Sequence, residues 1–116
     1  MLFIYYPKCT TCMKAKKWLD DHHIDYTDRH IKEENPSVAE LQTWHQQSAF
    51  PLKKFFNTSG LLYKSLQLKD KLPYMTDDEI YSILSSDGML VKRPLIIMQN
   101  KILIGFKEKE WEENLL

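Results

Sequence analysis

The chain has 116 residues, which suits one domain around one sizeable core. Its 16 Lys plus Arg balance 16 Asp plus Glu, so it lacks the excess positive charge that a broad, non-specific hold on nucleic acid needs. Hydrophobic residues make up 43% and charged residues 28%, an ordinary globular balance, and no apolar run approaches a membrane span.

Leu2–Tyr6 reads as a short strand buried on both faces. No basic region precedes it and no small-residue cleavage site follows, so it is not expected to be a signal peptide, and a cytoplasmic location is expected. Thr11 to about Asp21 reads as a helix, with Cys12, Ala15 and Leu19 recurring on one face. Asp25–Ile31 is a second predicted strand. Asn35-Pro36 opens another helix, with Pro at its first position, Ser37-Val38-Ala39-Glu40 as a capping box and an apolar stripe of Val38, Leu41 and Trp44.

Phe50 to Leu72 is less regular. Asn57-Thr58-Ser59-Gly60 is a turn, and a short helix after it is expected to carry Leu62 and Leu66 inward. Thr76-Asp77-Asp78-Glu79 is a second capping box, followed by Ile80, Ile83 and Leu84 at helical spacing, and Asp87-Gly88 ends that helix. Leu95–Met98 and Ile102–Gly105 form a predicted hairpin across Gln99-Asn100-Lys101. An amphipathic helix closes the chain from about Lys107, with Lys109 and Glu113 as an expected i, i+4 pair. The first half is a βαβ unit, so its strands run parallel, whereas the closing hairpin is antiparallel. A mixed sheet with helices on both faces follows. Trp18, Trp44 and Trp111 recur with other apolar residues and belong to the core.

The two cysteines, Cys9 and Cys12, lie three apart where the first strand gives way to the first helix. Free N–H groups and the helix dipole favour an anion there, so the Cys9 thiolate is stabilised, with Lys8 and Lys14 adding positive potential. Cys12 lies one turn further in, on the buried face. Cys9 is therefore the expected nucleophile and Cys12 the resolving thiol that closes a disulfide once Cys9 is oxidised. Zinc needs about four ligands. His22 and His23, past the far end of the helix, lie roughly 15 Å from Cys12 along the axis. Redox chemistry is the better use of the pair. The histidines at 22, 23, 30 and 45 are scattered, none stands near the cysteines in sequence, and acid–base work by any of them needs a positioned partner, so no catalytic role is expected of them.

Three stretches together resemble the arsenate reductase/Spx family, a thioredoxin-fold group. Tyr6-Pro7-Lys8-Cys9-Thr10-Thr11-Cys12-Met13-Lys14-Ala15 is similar to its active-site loop, Phe56-Asn57-Thr58-Ser59-Gly60-Leu61-Leu62-Tyr63 to its middle motif, and Lys92-Arg93-Pro94-Leu95-Ile96 to the Arg-Pro that leads into its third strand. The closing Gly105-Phe106-Lys107-Glu108-Lys109-Glu110-Trp111 resembles a short branch described only as arsenate reductase-like. The resemblance implies an α/β, thioredoxin-like mixed four-stranded sheet in one domain over 1–116, with a helical insertion at about 35–90. It also implies that Pro94 is cis and that Arg93 faces the thiolate, where its guanidinium holds an oxyanion and lowers the Cys9 pKa. Cys9, Cys12 and Arg93 are then the expected catalytic residues, and Lys8, Thr10, Thr11, Asn57 and Pro94 the expected substrate-binding ones. No bound cofactor is expected. The implied partner is a thiol reductant such as glutathione, glutaredoxin or thioredoxin, acting on a monomer.

The chain departs from both branches of the family. Of the arginines that surround the oxyanion in the reductases, only Arg93 has a match. Asn57 stands where a second is expected, and Gly105-Phe106 holds no third. Lys53, Lys54 or Lys64 could substitute in part, without the planar fork. The second cysteine points instead to the Spx-like regulators, which use CxxC as a redox switch and grip the RNA polymerase alpha subunit. The glycine of that contact is not evident in Ser48-Ala49-Phe50-Pro51-Leu52, and those regulators imply a tail beyond Leu116.

Overall fold

A computed structural model describes all residues, 1–116. Four short strands make one sheet: β1 (Leu2–Tyr5), β2 (Thr27–His30), β3 (Leu95–Ile97) and β4 (Ile102–Ile104), in the spatial order β2-β1-β3-β4. β1 pairs parallel with β2, while β3 pairs antiparallel with both β1 and β4. The sheet is mixed, as the element order implied, and the fold is thioredoxin-like, as the resemblance implied. Six helices complete the chain: α1 (Thr10–Asp21), α2 (Val38–Ser48), α3 (Leu61–Ser65), α4 (Leu68–Lys71), α5 (Asp77–Ser86) and α6 (Glu108–Leu115). No helix is long and apolar enough to cross a membrane.

Alternation along the strands sorts the core into two layers. Phe3, Ile96 and Leu103 point to one face and pack with Ala15, Trp18 and Leu19 of α1 and Trp111 of α6. Ile4, Leu95, Ile102 and Ile104 point to the other and meet the residues between β2 and β3, among them Leu41, Trp44, Phe55, Phe56 and Leu84. All three tryptophans are buried. The cysteine-bearing helix thus stands on the smaller layer, with its N-terminus at the C-terminal end of β1.

Both capping boxes form. The Ser37 hydroxyl accepts the Glu40 N–H at 3.1 Å and the Glu40 carboxylate accepts the Ser37 N–H at 3.0 Å; Thr76 and Glu79 do the same at 3.2 and 2.9 Å. Because Ser37 is the cap, Pro36 precedes the helix instead of occupying its first position. Val38, at 41% exposed, drops out of the expected stripe, leaving Leu41 and Trp44. Arg29 of β2 grips the same carboxylate with both terminal nitrogens, at 2.6 and 2.9 Å, and donates from Nε to the Glu34 carbonyl at 2.8 Å. This clasp fixes the start of α2 against the sheet.

The middle of the chain corrects several expectations. α3 lasts only five residues before Gln67 breaks it with φ of 55°, so Tyr63 is the buried residue, Leu62 is half-buried and Leu66 stays exposed. Tyr81 joins Ile80 and Leu84 in the core, and Ile83 is only partly buried. α5 ends at Asp87-Gly88 as expected, but Gly88 is not in the left-handed region. A Cβ there would lie 1.9 Å from the Ile31 carbonyl oxygen, so the glycine serves a close backbone approach. Lys109 and Glu113 make no ion pair; the pairs present are Lys16–Asp28, Lys17–Asp21 and Arg29–Glu40.

Candidate functional site

β1 ends at Tyr5, and the chain turns through Pro7-Lys8, with the Cys9 N–H donating to the Tyr6 carbonyl at 3.0 Å. Cys9 is the N-cap of α1: its backbone is extended, and its Sγ accepts the Cys12 N–H at 3.4 Å. The thiol therefore does the work usually done by a Ser or Asp side chain at a helix start, satisfying a free N–H while sitting at the positive end of the dipole. Cys9 is partly exposed and Cys12 fully buried, both as free thiols.

Electrostatics separates the two sulfurs. Partial burial of Cys9 opposes its charge, but hydrogen bonds from the Cys12 side chain and backbone, with the charge of Arg93, outweigh it and bring its pKa below the ordinary thiol value. Burial pushes the Cys12 thiol up to about 12, and the neighbouring Cys9 adds to the rise, against the Tyr6 backbone and Arg93. Arg93 lies over the Tyr6 ring at 5.3 Å. One of its terminal nitrogens makes a long 3.5 Å contact with the Met89 carbonyl, while its buried Nε has no partner. The Arg93–Pro94 bond is cis.

The rest of the site comes from distant sequence. Phe56 bridges Val91 in antiparallel fashion, with the Lys92 N–H donating to the Phe55 carbonyl at 2.7 Å and the Asn57 N–H to the Leu90 carbonyl at 2.8 Å. This short pairing sets Lys54, Asn57 and Ser59 beside Lys92 and Arg93. On the other side Gly105, at φ of 79°, donates its N–H to the Pro94 carbonyl at 2.8 Å and accepts the Trp111 indole N–H at 3.1 Å, which fixes Phe106 and Lys107. The result is a cleft of about 420 Å³ with Cys9 in its wall.

Of the residues singled out from sequence, Cys9, Thr11, Asn57 and Arg93 line this cleft, as does Lys54 among the three candidate middle lysines. Cys12 lies buried close to Cys9, and Pro94 is buried too. Lys8 and Thr10 are exposed outside the lining, and Lys53 and Lys64 do not reach it. Lys92, Lys107 and Ser59 line it without having been assigned a role. A signal for two of them was present: Lys92 precedes Arg93, and Lys107 follows the Gly105-Phe106 pair searched for an arginine. No three His, Cys, Asp or Glu side chains come together to hold a metal ion.

A mixed thioredoxin-like sheet with a cysteine capping the first helix defines the class. Within it the chain belongs to the ArsC family, whose model matches residues 4–114. It is 51% identical over 114 residues to the uncharacterized protein YusI of Bacillus subtilis, covering 98% of this chain and 97% of that one. It is 31% identical over 105 residues to the global transcriptional regulator Spx of Staphylococcus saprophyticus, covering 90% and 78%. Among solved structures it is similar to an ArsC family related protein from Bacteroides fragilis, with 53% identity, 97% and 94% coverage and a TM-score of 0.93. The structure of a possible arsenate reductase from Streptococcus mutans UA159 matches with 45% identity, 96% coverage of each chain and a TM-score of 0.88.

Proposed function

We propose that the protein is a thiol–disulfide oxidoreductase or oxyanion reductase that acts through Cys9 and is resolved by Cys12. The observation that carries this is the polarised pair: an acidic, accessible thiol at a helix start and a buried, weakly acidic thiol one turn on. With a disulfide substrate, the Cys9 thiolate attacks one sulfur, forms a mixed disulfide and releases the other half as a thiolate. Cys12 then gives up its proton and attacks the Cys9 sulfur. The second half leaves and takes that proton, so two electrons have passed from the pair to the substrate. Burial is the main cause of the high Cys12 pKa, and bonding Cys9 removes the smaller part that its hydrogen bond and charge add, which eases ionisation of the resolving thiol at the step that needs it. An external thiol such as glutathione, glutaredoxin or thioredoxin would return the pair to the dithiol.

A redox-sensing regulator is the alternative, supported by the likeness to Spx. Its switch would be the same disulfide, read out as binding to a protein such as the RNA polymerase alpha subunit. Turnover separates the two. The enzyme should cycle with one of these reductants and lose all activity as Cys9→Ser, while Cys12→Ser should accumulate mixed disulfide on Cys9. Absence of turnover, with oxidation-dependent binding to the alpha subunit, would favour the regulator.

A further inference from the structure

We infer that the cleft selects low-molecular-mass disulfides that carry two or more carboxylates. The inference deepens the oxidoreductase proposal and rests on Cys9 attacking disulfides. Four cations, Lys54, Lys92, Arg93 and Lys107, line the cleft, and no Asp or Glu does. The chain as a whole is neutral, so this is a local segregation of charge. None of the four is engaged in an ion pair, and the buried Arg93 Nε still lacks an acceptor.

Size and geometry favour a molecule larger than an oxyanion. A tetrahedral oxyanion displaces on the order of 100 Å³, three or four waters' worth, whereas the cleft holds about 420 Å³, within the range of sites for small organic ligands. Three of the cations are lysines on separate segments: Lys54 precedes the Phe56–Val91 bridge, Lys92 leads into β3 and Lys107 caps α6. Flexible point charges spread around a cleft suit carboxylates spread along a molecule, and they make a poor substitute for the planar fork that clasps one compact anion. Phe106 and Ile104 offer apolar surface to the carbon skeleton between them. The reaction is the two-step exchange above: the disulfide is reduced to two thiols as Cys9 and Cys12 become a disulfide, so the substrate is itself the oxidant.

The test is single-turnover oxidation of the reduced protein by 3,3′-dithiodipropionate, 2-hydroxyethyl disulfide and cystamine, which carry two carboxylates, no charge and two ammonium groups. Each rate is divided by that of the same disulfide with free 2-mercaptoethanol, to remove leaving-group differences. The dicarboxylate is expected to lead the neutral compound by about tenfold at low salt, with cystamine slowest and the spread shrinking as salt rises. In Lys54→Gln/Lys92→Gln/Lys107→Gln, checked for fold by circular dichroism, the dicarboxylate-to-neutral ratio should collapse to within about twofold. Equal rates for the dicarboxylate and the neutral disulfide, or a preference indifferent to salt in the wild-type protein, would overturn the selectivity and leave the oxidoreductase standing. Failure of all three to oxidise the pair would overturn both.

Discussion

Replacing Glu40 by Gln removes the charge that Arg29 grips but keeps a side chain able to reach the Ser37 N–H. The Glu40 carboxyl titrates at about 2 instead of 4.5, first through its hydrogen bonds with Arg29, then through Ser37, with burial opposing. At about 1.4 kcal/mol per pH unit, that difference bounds its contribution to folding at about 3 kcal/mol. Its side chain is 36% exposed, so water screens the pair, and about 1–2 kcal/mol is the expected loss. The folded pKa lies below the unfolded one. The contribution is therefore complete above about pH 4.5 and fades as pH falls toward 2. Urea unfolding at neutral pH should separate Glu40→Gln from the wild type by about 1–2 kcal/mol, and the gap should narrow at about pH 4 and again at about pH 3. No gap at neutral pH, or a gap that stays constant on acidification, would refute the clasp as described.

Arg93→Gln should shift the alkylation profile of Cys9 to higher pH, since the guanidinium favours the thiolate, and should leave Cys12 the slower thiol at every pH; iodoacetamide rates on single-cysteine variants measure this. With Arg93 the only arginine at the cleft, arsenate turnover coupled to glutaredoxin or thioredoxin should be weak or absent, and robust turnover at low arsenate would show that the lysines suffice. Gly88→Ala should lose about 1–3 kcal/mol in urea unfolding, because its Cβ must push back the Ile31 carbonyl, whereas an unchanged midpoint would mean that the Ile31 segment yields freely.

Legibility followed locality. The strand that runs into Cys9, the helix behind it and both capping boxes are written in windows of four to a dozen residues, where apolar spacing and cap chemistry decide the outcome. Burial in the middle segment was not legible: α3 is too short for a helical period to establish a face, so Tyr63 and not Leu66 turned inward. Val38 fell outside the stripe because it is the first helical residue, just past the Ser37 cap. The cleft was the least legible feature. Lys54, Lys92 and Lys107 come together through the Phe56–Val91 bridge and the Gly105–Pro94 hydrogen bond, pairings that no local window contains. Lys107 marked only the start of the closing helix in the sequence, whereas its position at the α6 N-cap places it in the cleft lining.

The most direct test of the two-cysteine account is mass spectrometry of the protein after mild peroxide and then dithiothreitol, with circular dichroism to follow the fold. Cys9 and Cys12 sit three residues apart at a helix start, so their disulfide closes a very short loop and should add little stability. A site that favours the thiolate keeps such a bond easy to reduce. The expected result is loss of two hydrogens in one intramolecular disulfide, full recovery of both thiols and an unchanged fold. Cys9 carried on to sulfinic acid while Cys12 stays a free thiol would contradict the account, since Cys12 could not then be the resolving cysteine.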